Sequence, residues 1–239
     1  MKRSLLILNL FYSFVVHSQQ DKYDYNWLFG YPPNNPEASF GGSILDFNFS
    51  PPDTSFFEIP FSFDANAAIS GQHGVLKFYT NGCEVINWNH QTMQNGENIS
   101  PGFYHDNYCE NDGYPLYQGV LILPWPGHNG YYYLFHMKYE EDGYNSQILY
   151  SIINMNTVDN QGVVEEKNQV LINTPLTDMF TAVRHGNGRD WWIVMPKRAS
   201  NQYVILLLSP KGIEGPHIIE IGEVWNNQDW AGQAVFSPD

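Results

Sequence analysis

The stretch GVLKFYTNGCEVINWN, residues 74–89, decides how the fold of this chain is interpreted. Its first half alternates in side-chain character and is rich in aromatic and β-branched residues, which is typical of a strand. The dipeptide Asn81-Gly82 follows, and it favours a type I′ turn because both central residues of that turn need a positive φ. A second strand begins at Val85. The stretch therefore predicts a β-hairpin with a tight turn.

The same strand–turn–strand layout returns along the chain, which indicates a repeat. Compact apolar first strands align on Ala68, Leu121, Val183 and Val235, at spacings of 53, 62 and 52 residues. Four short strands per period, without helical periodicity, are typical of propeller blades. The sequence predicts an all-β fold, a partial β-propeller of about three four-stranded antiparallel blades plus the first strand of the next. A β-sandwich is the structural alternative, but it explains the repeat less well.

Strands are predicted along most of the chain. Before the repeat, short strands are expected at 27–30, 43–49 and 56–59. Within the repeat, and besides the hairpin, strands are expected at 65–70, 119–123, 131–139, 147–155, 163–172, 179–185, 190–195, 203–209, 217–221 and 232–237. Residues 91–118 form a long polar and aromatic connection with little periodicity.

The beginning of the chain has the features of a secretory signal peptide. A short basic segment, 1–3, precedes the apolar run SLLILNLFYSFVV at 4–16, and the small residue Ser18 follows. The apolar run is too short to span a membrane as a helix. We expect residues 1–18 to be removed and residues 19–239 to form the incomplete propeller domain of a secreted or cell-surface protein.

The charge of the chain excludes some classes of partner. The formal net charge is −14, and removal of residues 1–18 leaves 9 basic and 25 acidic residues, a net charge of −16. No basic cluster is available for a phosphate backbone, so nucleic acid is not an expected partner. No second run of about 18 apolar residues occurs, so membrane insertion is not expected either.

Export also affects how the two cysteines are interpreted. Cys83 lies beside the predicted hairpin turn, and Cys109 lies in the 91–118 connection. An even number of cysteines in an oxidising compartment commonly forms disulfides. We therefore expect a Cys83–Cys109 bridge, with a pair of free buried thiols as the alternative.

Several motifs occur in a fixed order. Residues 74–87 read G-x-L-x-F-Y-T-N-G-x-x-V-x-N, and residues 181–192 read TAVRHGNGRDWW. This order resembles the N-terminal β-propeller of secreted surface proteins of gliding bacteria, which are exported by the type IX route. Further segments similar to that family are 27–30, 42–47, 89–96, 132–135 and 150–155.

The resemblance covers nearly all of residues 19–239. It implies that FSPD at 236–239 begins another strand and turn, so that remaining blades of the same propeller would be partners of this segment. It also implies that adhesive modules and a sorting domain often follow. The resemblance supplies no catalytic residues that could be transferred to this chain.

No motif of a common catalytic class is present. The patterns G-x-S-x-G and H-E-x-x-H, a phosphate-binding glycine loop and the S-x-D-x-G-x-T-W box of sialidase propellers are all missing. His185 is expected to orient a turn and not to act as a general base. The acidic residues of the 106–112 loop could offer oxygen atoms to calcium, but their spacing is not that of an EF-hand. We predict no catalytic residue, no metal site and no cofactor.

Aromatic side chains on loops are the better candidates for ligand binding. Tyr104, Tyr108, Tyr117 and Trp125 are predicted to lie where they could stack on sugars. They favour a cell-surface binding or display module, for adhesion or polysaccharide binding, with a polysaccharide or a cell-surface protein as its partner. One alternative is a glycan-active extracellular hydrolase with its site at the mouth of the propeller channel. Another is a structural spacer in a large adhesin.

Overall fold

The computed structural model describes residues 21–30, 41–143, 146–224 and 232–237. The predicted signal peptide, residues 1–18, lies outside the described residues. Sheet 1 contains β1 (Asn26–Gly30), β2 (Gly42–Asp46) and β3 (Asp53–Phe57), and sheet 2 contains β4 (Ala67–Ser70), β5 (Leu76–Thr80) and β6 (Val85–Asn87). Sheet 3 contains β7 (Val120–Pro124), β8 (Tyr131–Tyr139), β9 (Ser146–Asn154) and β10 (Val163–Asn173). Sheet 4 contains β11 (Thr181–Arg184), β12 (Trp191–Pro196), β13 (Gln202–Ser209) and β14 (Gly212–Glu220).

Every strand pairs antiparallel with the next strand of its sheet in chain order. The prediction of an all-β fold is therefore confirmed. The connection between sheets 2 and 3 also contains a short helix, α1 (Phe103–Tyr108), and a 3₁₀ turn, Val158–Asn160, lies between β9 and β10. The strand content differs from the prediction in two ways. Sheets 1 and 2 have three strands each within the described residues, and residues 232–237 form no strand.

The turn of the 74–89 hairpin is not the predicted type I′ turn. Four residues, 81–84, connect the last paired residue of β5 with the first of β6. Gly82 has a φ of 81°, whereas Asn81 does not have a positive φ. The Asn81 side-chain oxygen instead accepts hydrogen bonds from the main-chain N–H groups two and three residues later, at 3.0 and 3.3 Å. The asparagine therefore closes this loop with its side chain and not with a left-handed backbone.

The four sheets pack face to face in chain order, with an apolar core between each neighbouring pair. The core between sheets 1 and 2 includes Leu28, Ile44, Tyr79 and Ile86. The core between sheets 2 and 3 includes Ile69, Phe78, Ile122, Leu134 and Ile153. The core between sheets 3 and 4 includes Phe135, Met137, Ile152, Ile193, Met195 and Leu206. Successive residues of a strand point to opposite faces, so both faces of sheets 2 and 3 are buried. A two-layer sandwich would have one such core.

The first strands of sheets 2, 3 and 4 run in the same direction. Gln72, Pro124 and Arg184, which lie at or just after the ends of these strands, line one cleft. We call this the upper end of the stack. The opposite end, where β4, β7 and β11 begin, is the lower end.

β1 runs in the opposite direction to its neighbour β4. The Asn26 side chain, at the start of β1, donates a hydrogen bond to the Ser70 hydroxyl at the end of β4. Asn66, just before β4, donates to the carbonyl oxygen of Leu28 at 2.7 Å. Sheet 1 therefore starts at the upper end, whereas the other three sheets start at the lower end.

Residues 21–25, the N-terminal strap, cross the upper end of the stack. The carbonyl oxygen of Tyr23 accepts a hydrogen bond from the main-chain N–H of Ser70 at 2.8 Å. The Asp21 carboxylate accepts one from the guanidinium of Arg184, also at 2.8 Å, across 163 residues of sequence. The strap therefore connects the beginning of the described chain to sheet 4.

A histidine is fully buried where sheet 3 faces sheet 2. Both ring nitrogens of His136 have hydroxyl partners, Ser100 Oγ at 2.8 Å and Ser151 Oγ at 3.0 Å. Burial disfavours the charged imidazolium and lowers the pKa of His136 to about 3. The folded protein therefore holds this side chain neutral at physiological pH.

This burial makes the free energy of unfolding depend on pH. Below its ordinary pKa of 6.5 the unfolded histidine binds a proton that the folded one does not, so stability falls as the pH is lowered towards 3. Between pH 6.5 and pH 5 the expected loss is about 2 kcal/mol. Urea unfolding of the wild type and of His136→Gln at pH 6.5 and at pH 5 measures this loss of unfolding free energy. The variant should not show the loss that His136 causes. An equal change of unfolding free energy between the two pH values in both proteins would contradict the assignment of His136 as a neutral, buried histidine.

Candidate functional site

Helix α1 places two of the predicted aromatic residues at the lower end of the stack. The rings of Tyr104 and Tyr108 are stacked, with centroids 5.7 Å apart and planes 16° from parallel. Tyr104 also packs against Tyr139, the last residue of β8, at 6.1 Å. Because β8 runs antiparallel to β7, its last residue lies where β7 begins. No local pattern predicted this helix, since six residues are fewer than two helical turns.

The connection that carries α1 is fixed to sheets 2 and 3 at several points. The predicted disulfide is present, and it joins Cys83 of the hairpin loop to Cys109 directly after the helix. The Tyr114 hydroxyl accepts a hydrogen bond from the main-chain N–H of Tyr139 at 3.1 Å. Gly82 allows the close approach, because a Cβ there would lie 2.7 Å from the Cβ of Tyr114. Burial raises the pKa of Tyr114, so the phenol stays neutral.

Tyr117 lies at the same end, just before β7, and its side chain is 76% exposed. Tyr108 is 38% exposed, and Tyr104 beneath it is half-buried. We call these three residues the tyrosine surface. Tyr108 and Tyr117 offer ring area to a ligand, while Tyr104 supports Tyr108 from below.

Trp125 does not belong to this surface. It follows β7 at the upper end, and the five residues of that strand separate it from the lower end by about 16 Å. One face of its indole is covered by His128, with centroids 4.0 Å apart, and Tyr133 meets it edge-on at 5.0 Å. Trp125 lines the upper cleft, which has a volume of about 400 Å³. The structure therefore brings three of the four predicted binding residues to one end and places the fourth at the other.

Asp178, which the sequence did not single out, is completely buried near the tyrosine surface. Within the described part of the chain neither carboxylate oxygen has a well-aligned hydrogen bond. Burial raises the pKa of Asp178, although the main-chain N–H groups of Asp178 and Tyr117 act in the opposite direction. A carboxyl group in this position cannot touch a substrate, so it gives no support for a hydrolase.

His185 and Asp190 stabilise the turn between β11 and β12. The Nδ1 atom of His185 accepts a hydrogen bond from the main-chain N–H of Asn187 at 3.0 Å. The carboxylate of Asp190 accepts from Arg189 Nε at 2.7 Å, and this contact holds the pKa of Asp190 below its usual range. The imidazole nitrogen that a general base would use and the carboxylate that would orient it are therefore both engaged in holding the turn.

An acidic groove of about 440 Å³ lies beside the disulfide. It is lined by Glu84, Glu97, Asp106, Glu110 and nearby polar residues. In the residues that the structure describes, no group of three or more histidine, cysteine, aspartate or glutamate side chains is arranged to hold a metal ion. The groove makes the surroundings of α1 unfavourable for anionic ligands.

The comparisons with known proteins give no family for the chain. No protein-family model matches it, and searches of curated proteins and of solved structures found no match either. No helix in the described ranges is long and apolar enough to cross a membrane.

Proposed function

We propose that the chain is a secreted β-propeller module that binds a neutral polysaccharide at the cell surface through the tyrosine surface. Four antiparallel sheets stacked face to face in chain order, with three first strands running in one direction, support the propeller. The resemblance to type IX-exported surface proteins and the signal-peptide pattern support secretion. The disulfide is compatible with an oxidising extracellular location.

The observation that carries the binding proposal is the fixed, partly exposed pair Tyr104–Tyr108 with Tyr117 at the same end. Sugar rings present C–H groups that pack on flat aromatic faces, and a phenol adds a hydrogen-bonding group. The disulfide and the Tyr114 hydrogen bond hold α1 in place before a ligand arrives. The Tyr104–Tyr108 pair therefore loses little side-chain freedom on binding.

The charge near α1 supports a neutral ligand. Four carboxylate residues line the acidic groove on the disulfide side of the helix. The whole chain carries a formal net charge of −14. Both the local and the overall field repel polyanions, whereas they do not affect an uncharged polysaccharide.

Removing the two exposed rings should weaken binding without unfolding the protein. We expect Tyr108→Ala combined with Tyr117→Ala to reduce retention on an insoluble neutral polysaccharide by about tenfold, since each stacked ring contributes roughly 0.5–1.5 kcal/mol. Pull-down of the purified protein on a panel of such polysaccharides measures retention. Circular dichroism should show an unchanged fold.

Phe49→Ala is the matched control, because Phe49 is an exposed aromatic residue in the loop after β2. Its retention should equal that of the wild type. Unchanged retention in the double variant would contradict the binding proposal and favour a structural spacer. Release of soluble sugars by the wild-type protein would favour the hydrolase instead.

A further inference from the structure

The upper cleft is built from three segments that meet at the end of the stack opposite the tyrosine surface. It lies between the N-terminal strap, the loop 125–130 that connects β7 with β8, and the loop 185–190 that connects β11 with β12. Its volume of about 400 Å³ falls within the range of roughly 300–1,000 Å³ that is typical of pockets for small ligands. The cleft therefore has room for a ligand of the size of a disaccharide.

Two guanidinium groups line this cleft. Three arginines follow residue 18 in the sequence, and Arg184 and Arg189 are the two that reach it. Arg184 donates from Nη1 to Asp21 at 2.8 Å, and its Nε and Nη2 atoms have no acceptor among the described residues. Arg189 donates from Nε and Nη2 to Asp190, at 2.7 and 3.1 Å, and its Nη1 atom has no acceptor in the same ranges. Both arginines therefore keep N–H donors that the described protein does not use.

Two side-chain amides of the cleft are also not used by the protein. Gln72 and Asn129 line the cleft and are exposed, and their side chains bond to no other described residue. Their backbones are held nevertheless. The carbonyl oxygen of Gln72 accepts from the main-chain N–H of Lys22 at 3.3 Å, and that of Asn129 accepts from Asn156 Nδ2 at 2.9 Å. Each amide thus presents a donor and an acceptor from a fixed position.

Two indole rings form walls of the cleft and are held by neighbouring side chains. The guanidinium of Arg184 lies over the ring of Trp191, 4.8 Å from its centroid. His128 stacks on Trp125, and its Nε2 atom lies 3.0 Å from the carbonyl oxygen of Pro210, to which it donates. These contacts fix the rings before a ligand arrives, so binding orders few further side chains.

The charges around the cleft balance each other. Asp21 pairs with Arg184, and Asp190 pairs with Arg189, so the two guanidinium groups create no site of net positive charge. An anionic ligand would also meet the formal net charge of −14. Hydroxyl groups both donate and accept hydrogen bonds, as the unused groups of the cleft do together. The lining therefore suits a neutral ligand that is rich in hydroxyl groups.

We propose that the upper cleft is a second carbohydrate site, which takes a short stretch of a neutral oligosaccharide. The unused N–H and amide groups bind the sugar hydroxyls, and Trp125 and Trp191 contact the C–H groups of the sugar rings. The inference takes its class of ligand from the proposed function, but none of its residues belongs to the tyrosine surface. The molecule then has one carbohydrate site at each end of the stack and is able to bridge two polysaccharide chains.

Titration of the full chain with soluble oligosaccharides tests the proposal. The probes are neutral hexasaccharides of glucose, xylose or mannose, and the readout is tryptophan emission, because two tryptophans line the cleft. All titrations use the Tyr108→Ala, Tyr117→Ala protein, so that the tyrosine surface does not contribute. At least one hexasaccharide should change the emission in a saturable manner.

Gln72→Ala combined with Asn129→Ala should weaken this binding about tenfold, since two hydrogen bonds to the sugar are lost. Neither change removes a side-chain hydrogen bond within the described protein, so the fold should persist. Gln91→Ala combined with Gln161→Ala is the matched control, because both amides are exposed and lie outside the cleft. Its affinity should equal that of the parent protein.

A second pair of variants locates the bound sugar. Trp191→Phe should remove most of the emission change that the ligand causes, because this indole lines the cleft. Trp192→Phe is its control, since the next residue of the same strand points to the opposite face and does not line the cleft. It should leave the emission change intact.

Two results would overturn the second site. One is the absence of any saturable emission change, and the other is equal affinity in the amide variant and its control. Tighter binding of a uronic acid hexasaccharide than of every neutral one would overturn the class of ligand. The proposed function is tested separately, because retention on insoluble polysaccharide depends on Tyr108 and Tyr117, whereas this emission change is measured without them.

Discussion

Replacing Phe135 by alanine is expected to lower the free energy of unfolding by about 3–5 kcal/mol. Phe135 is fully buried in the core between sheets 3 and 4. Its ring stacks on Tyr133 at 5.6 Å and meets Phe180 edge-on at 6.3 Å. These two rings, one on sheet 3 and one just before sheet 4, cannot collapse into the space left by Phe135, so the cavity adds to the lost burial.

Urea or guanidinium unfolding at pH 7.5 measures this loss. Phe49→Ala removes the same side chain from an exposed loop and should change stability by no more than about 0.5 kcal/mol. A loss below about 1 kcal/mol for Phe135→Ala would mean that sheets 3 and 4 do not share the core described above.

Removing the Cys83–Cys109 bridge is expected to have the second-largest effect. The bridge spans 26 residues, and the chain-entropy model gives about 3–4 kcal/mol for a loop of that size. Cys83→Ala combined with Cys109→Ala should therefore lower the unfolding free energy by that amount. Since the bridge also holds the end of α1, the double variant should retain less polysaccharide than the wild type at temperatures where it is still folded.

Two measurements check this expectation. The intact mass of the secreted protein, after alkylation with and without reductant, shows whether the bridge is present. Unfolding of the oxidised wild type and of the double alanine variant gives its contribution. Two alkylated thiols in the non-reduced protein, or equal stabilities, would contradict the structural assignment.

The strands were the most predictable part of this fold. β8 was predicted at 131–139 and has those bounds, because its alternating aromatic and aliphatic residues fill two different cores. Residues 232–237 have a similar composition but form no strand, since strand formation depends on a partner edge as well as on the residues themselves. The prediction of a type I′ turn in the hairpin was wrong for a local reason. The side chain of Asn81 accepts the loop hydrogen bonds and so replaces the left-handed backbone that a type I′ turn needs.

The candidate site was predictable only in part. Tyr104, Tyr108 and Tyr117 lie in one connection between two sheets, so proximity in sequence already favoured proximity in space. Trp125 is near Tyr117 in sequence, but a strand between them carries the chain from one end of the stack to the other. The burial of Asp178 depends on packing between residues that are distant in sequence, and no local pattern reports it.

The contact between Asp21 and Arg184 has a consequence for the order of folding. Most strand pairs join neighbours in sequence, so each sheet can form as soon as its own strands have been synthesised. Arg184 is made 163 residues after Asp21, which at 5–20 residues per second takes about 10–30 s. During this interval the strap has no guanidinium to bind. For the secretion proposed above, this interval is the time in which residues 21–25 stay accessible to an export factor, before their contact with Arg184 forms.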